Sequence, residues 1–115
     1  MLVAGPAALL VAKVHKIIER LGDRDRAQDK DALDLFRLLQ AVPTEDLAQR
    51  LEALLGDDSA GVVTAEALER IPVLFGATGS DGIAMAVRAA ALGEDSVILA
   101  GSFVALIGEL RQAFE

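Results

Sequence analysis

PAALLVAKVHKIIERL, residues 6–21, decides the fold. At about 100° per residue, Leu10, Val11, Val14, Ile17, Ile18 and Leu21 share one arc of about 120°. Pro6 suits the first helical position, and Gly22 is a natural stop. An arc of this width needs other helices to cover it, and the rest of the chain supplies them. Asp29 is the expected N-cap of a second helix running to about Ala41, with Ala32, Leu33, Leu35, Phe36, Leu38 and Leu39 on a wide apolar face. Val42-Pro43 ends it, because a residue before proline is pushed out of the α region. Thr44 is the expected cap of a third helix carrying Leu47, Leu51, Leu54 and Leu55, with Glu45 and Asp46 placed for the dipole and Gly56 as its end.

Asp57–Val63 reads as a loop with extended character at Val62-Val63. Thr64 then caps a fourth helix with Leu68, Ile71, Leu74 and Phe75, which Pro72 is expected to kink or end early. Gly76–Gly82 reads as a flexible connector. A fifth, alanine-rich helix covers about Ile83–Leu92. Glu94-Asp95 opens a sixth over about Ser96–Phe114. There is no convincing strand and no internal repeat. The expected fold is all-α, an irregular bundle of about six helices with no substantial sheet, forming one helical domain over residues 1–115.

Composition agrees. The chain has 115 residues, 53% of them hydrophobic, including 21 Ala and 18 Leu. That excludes a disordered chain and favours helix. With four Phe and no Trp or Tyr, stacking platforms for single-stranded nucleic acid are not expected. The absence of Cys excludes disulfides, zinc knuckles, iron–sulfur clusters and thiol catalysis. Net charge is −7, with the deficit concentrated after residue 40, so general DNA binding is not expected. The apolar run Ser96–Gly108 is shorter than the ~20 residues of a membrane span and reads as a buried helix. No signal peptide is evident, and a cytoplasmic location follows by default.

Residues 13–34, KVHKIIERLGDRDRAQDKDALD, hold the candidate chemistry. With Lys13 at 0° on a helical wheel, Arg20 falls at about −20° and Lys16 at about −60°. These three cations form a stripe beside the apolar arc, suited to an anionic phosphate or simply to solvent. Asp31 and Asp34 are i,i+3 neighbours at the edge of the second helix's buried face. They can orient the lysines, join a metal site or accept a substrate hydroxyl proton. They can equally complement the helix dipole, with Asp34 also pairing with Lys30. His15 lies off the apolar arc and is expected to pair with Glu19. With no second His or Cys, a metal role for it is not expected, and no metal ligands are assigned. The glycines of residues 76–82 are spaced GxxGxxG with no following Lys-Ser/Thr, which is neither a dinucleotide nor a P-loop fingerprint. Ser80 and Ser102 lie in no GxSxG context.

The run AKVHKIIER followed by DKDALDLFRLL resembles the C-terminal helical part of AbiEii-type nucleotidyltransferases, the toxins of abortive-infection toxin–antitoxin systems. Actinobacterial nucleotidyltransferase-like proteins are the nearest in appearance. LFG, MAVRAA and the alanine-rich last helix extend the resemblance over essentially the whole chain. It implies a helical bundle that follows a small α/β core. In such proteins the core carries a Gly-Ser turn and an Asp-x-Asp pair for metal and nucleotide, and the helical part completes the site with lysine and aspartate. By that resemblance Lys13 or Lys16, with Arg20 in the same stripe, contacts nucleotide phosphate, and Asp31 and Asp34 are the catalytic carboxylates.

The chain departs from the family where the core should be. Gly79-Ser80 leads only to Glu94-Asp95, and Asp23-x-Asp25 has no preceding Gly-Ser turn. Met1-Leu-Val-Ala-Gly reads like an internal segment begun at a late start codon. The chain alone is therefore expected not to transfer nucleotides and to need no cofactor. Mg²⁺ and a nucleoside triphosphate are expected only once it joins a catalytic core. The expected partners are that missing core or another protein, a nucleotide and, in the second reading, further copies of the chain; no membrane is expected. That second reading is an independent helical protein–protein interaction module, antitoxin-like or an adaptor. A stand-alone hydrolase built on Asp31 and Asp34 is the weakest reading, because the sequence offers too few other polar groups for a pocket.

Overall fold

The first amphipathic segment forms α1, Pro6–Glu19, and buries Ala7, Leu10, Val11, Val14 and Ile17. The computed structural model describes residues 5–19, 29–90 and 95–114. The expected continuation of the helix to Leu21, its stop at Gly22, and Arg20 lie outside the described residues. Five further helices follow: α2 Asp29–Ala41, α3 Thr44–Leu55, α4 Gly61–Phe75, α5 Asp81–Ala90 and α6 Ser96–Gln112. Among the described residues there is no strand, and the fold is an all-α bundle. No helix among them is long and apolar enough to cross a membrane.

The apolar arc of α1 is covered by α2, α3 and α4, while α5 lies along α2 and α6 closes the bundle against α3, α4 and α5. Three of the four phenylalanines meet at the centre. The Phe103 ring stacks between Phe36, at 5.2 Å between centroids, and Phe75, at 4.8 Å. All three rings are buried, so one residue each from α2, α4 and α6 ties these helices together. The sixth helix buries Leu99, Ala100, Phe103, Ile107 and Leu110 but leaves Val97 and Ile98 largely exposed, so the apolar run Ser96–Gly108 is buried on one side only.

Several boundaries differ from expectation. Thr44 is the first residue of α3 and not its cap; Pro43 takes that place, with no side-chain capping bond. Glu45 and Asp46 in the first turn offset the exposed amides electrostatically instead. The fourth helix starts at Gly61, so Val62 and Val63 are helical, and Thr64 is buried inside the helix. Asp57 brings the start forward. Its Oδ1 accepts from the amides of Ser59 (2.8 Å) and Ala60 (3.0 Å), and its carbonyl accepts from Gly61 N–H (2.8 Å). Such an Asx turn already has the curl of a helical turn, which the β-branched Val62-Val63 then continues. Gly61 is needed there, since a Cβ would come within 2.7 Å of the Leu55 carbonyl oxygen.

Pro72 does not break α4, which runs three residues further to Phe75. The missing N–H removes the helical partner of one carbonyl, that of Leu68, near a helix end where the loss is best tolerated. The fifth helix begins at Asp81, so the presumed connector contributes its last two residues to a helix. Gly82 is buried in it, and a Cβ there would collide with the Phe75 ring and the Leu74 carbonyl. This glycine therefore provides close approach between α4 and α5 rather than flexibility. The expected end of that helix at Leu92 lies outside the described residues. Asp95 caps α6 as the sequence suggests, its Oδ1 accepting from Val97 N–H (2.9 Å) and Ile98 N–H (3.2 Å).

Candidate functional site

The neighbouring first helices bring Lys13 to the start of the second. Lys13 lies at the margin of the buried arc of α1, between Leu10, Val14 and Ile17 along the helix. Asp31 and Asp34 lie in the opening turns of α2, one turn apart on a shared face. The Lys13 ammonium donates to Asp31 Oδ1 at 2.8 Å and to Asp34 Oδ2 at 3.2 Å. Side-chain exposures are 20% for Lys13, 11% for Asp31 and 42% for Asp34. The cluster thus opens to solvent on the Asp34 side.

The hydrogen bond to Asp31 is the main cause that holds the Lys13 ammonium above the ordinary lysine pKa. Partial burial works the other way, and the bond to Asp34 adds to the rise. Lys13 is therefore a permanent cation at neutral pH. An ammonium has three N–H donors, and these two bonds use two of them. The third is left for an acceptor arriving from solvent.

Of the other cations in the stripe, Lys16 is exposed and makes no ion pair among the described residues, while Arg20 lies outside them. The expected Lys30–Asp34 pair is replaced by Lys13–Asp34, because the tertiary neighbour meets the carboxylate across the helix interface. His15 does not pair with Glu19. Its Nε2 lies 2.8 Å from the Val63 carbonyl oxygen, an acceptor, so Nε2 carries the proton and donates. This bond ties α1 to the first turn of α4.

Asp29 was the expected cap of α2, but its carboxylate faces another helix. Arg88 of α5 grips it in a two-point pair, with Nε donating to Oδ2 at 3.1 Å and Nη2 to Oδ1 at 3.0 Å. Asp29 is buried, and its bonds, more than any other influence, push the Arg88 pKa further up. The pair fixes the start of α2 against α5, two residues before Asp31. Nothing local in the sequence marks Arg88 for this role; the only signal is an isolated cation in an alanine-rich helix.

Magnesium is the metal that the family resemblance implies. Among the described residues no group of three or more His, Cys, Asp or Glu side chains can hold a metal ion. Asp31 and Asp34 are two carboxylates already engaged by one ammonium. The donor set among the described residues does not fit a divalent cation, which would call for about six oxygens.

No protein-family model, curated protein sequence or solved structure matches the chain.

Proposed function

We propose that the Lys13–Asp31–Asp34 corner is the helical side of a nucleotide site, and that the chain works as the substrate-side domain of an AbiEii-like nucleotidyltransferase when joined to a catalytic core. The observation that carries this reading is the bridging ammonium: Lys13 is held by two carboxylates of α2 at the solvent edge. A lysine held in this way is pre-positioned, so a phosphate oxygen meets a fixed donor at little ordering cost. Lys16, one turn along α1 and exposed, adds a second cation. In this reading Asp31, the more buried carboxylate, positions Lys13, and Asp34, the more exposed one, is available to a substrate group. Metal and the reacting phosphate belong to the core, and the chain alone does not transfer nucleotides.

Calorimetric titration of each nucleoside triphosphate with Mg²⁺ tests the reading. The wild-type chain is expected to bind with Kd near ~1 mM, about −4 kcal/mol. The Lys13→Ala/Lys16→Ala double variant is expected to show no heat. Equal heats from both proteins would dismiss the phosphate role. The second reading, a helical interaction module, draws support from Val62, Val97 and Ile98, which are 70%, 79% and 67% exposed. It predicts self-association or capture of a protein partner that is indifferent to the lysine substitutions.

A further inference from the structure

A groove of about 350 Å³ lies between α4 and α6, lined by Leu68, Ile71, Pro72, Leu110, Arg111 and Phe114. We propose that it binds an apolar monocarboxylate, an aliphatic chain with one terminal carboxylate, with the chain in the groove and the head on Arg111. This inference is independent of the Lys13 site.

Three features carry it. The volume lies in the range of small-molecule pockets, roughly 300–1,000 Å³. Five of the six lining residues are apolar, so the groove favours hydrocarbon over water. The sixth is a guanidinium that makes no ion pair among the described residues, although acidic residues outnumber basic ones 18 to 11 in the whole chain. An arginine with no ion pair among the described residues, beside an apolar surface, matches a carboxylate, whose two oxygens fit its forked donors.

The charge of the molecule narrows the class further. A net charge of −7 repels an extended polyanion such as nucleic acid but opposes a single carboxylate only weakly.

The test titrates octanoate and 1-octanol into the wild-type chain and R111Q, following methyl and ring signals by ¹H–¹³C correlation spectra. Sedimentation of the free chain is measured in parallel. Octanoate is expected to shift the signals of Ile71, Leu110 and Phe114 and to saturate. Octanol is expected to bind about tenfold more weakly, and R111Q to lose about tenfold in octanoate affinity with octanol unchanged. Arg111 is exposed, so the variant keeps the fold, and the octanoate–octanol comparison stands on the wild type alone. Equal affinity for the two ligands would overturn the proposal, as would shifts confined to residues away from the groove. So would a dimer of the free chain whose interface covers these residues.

Discussion

Replacing Lys13 by methionine removes the charge that joins α1 to α2 and keeps much of the apolar stem. The structure makes the two lost bonds unequal. Asp31 sits at 2.8 Å with 11% of its side chain exposed, whereas Asp34 sits at 3.2 Å with 42% exposed. A charge-assisted bond is worth about 1.5–3 kcal/mol when sheltered, and an exposed pair about 0–1. The expected coupling is therefore about 1.5 kcal/mol for Lys13–Asp31 and about 0.5 for Lys13–Asp34, with about 2 kcal/mol lost in the single variant. Urea unfolding followed by circular dichroism gives these values through double-mutant cycles of K13M with D31N and with D34N. Fluorescence would not serve, since the chain has no Trp or Tyr. Coupling to Asp34 equal to or above that to Asp31, or both below about 0.3 kcal/mol, would refute the assignment of Asp31 as the anchoring partner.

The same bond sets an alkaline limit. The pKa of Lys13 is raised above its ordinary 10.5, so its contribution is complete below that pH and lost as pH rises through the folded value; K13M should lack this loss in an alkaline unfolding series. R88M leaves the Asp29 carboxylate buried without its two-point partner and should cost about 1–3 kcal/mol in the same urea assay, with R88K recovering only part because one ammonium cannot grip both oxygens. G82A forces a methyl against Phe75 and the Leu74 carbonyl and should cost about 1–3 kcal/mol, where a flexible connector would gain from the same change. The Asp57 pKa is lowered by the amides of Ala60 and Ser59; its contribution is present above the ordinary 3.8 and lost as pH falls through the folded value, so D57A should melt at a lower temperature at pH 7 and differ least from wild type in strong acid.

The helices were legible because their apolar arcs follow the helical period, and α1 through α3 needed little else. Caps were less legible. Asp29 and Thr44 have the right chemistry for an N-cap, but tertiary partners and Pro43 decided otherwise. The early start of α4 depends on an Asx turn at Asp57, and the need for glycine at position 82 on the close approach of Phe75. The first is easily read as an ordinary loop, and the second exists only after folding. Of the site, the convergence of Lys13 with Asp31 and Asp34 followed from two adjacent amphipathic helices, each with a polar group at the margin of its buried face. Arg88 was not legible because 59 residues separate it from Asp29. Nor was the bond from His15 to Val63, since a backbone acceptor leaves no mark on the sequence.

The most direct measurement of the central claim observes the Lys13 ammonium itself. In ¹⁵N-lysine-labelled chain, the Nζ signal of Lys13 is followed while ATP with Mg²⁺, and separately adenosine, is added. The proposed phosphate site predicts a saturable shift with ATP, no shift with adenosine, and loss of the ATP response in D31N, where the ammonium is no longer held in place. A Lys13 signal unmoved by ATP at 10 times the expected ~1 mM Kd would contradict it, and would leave the cluster as a clasp between α1 and α2.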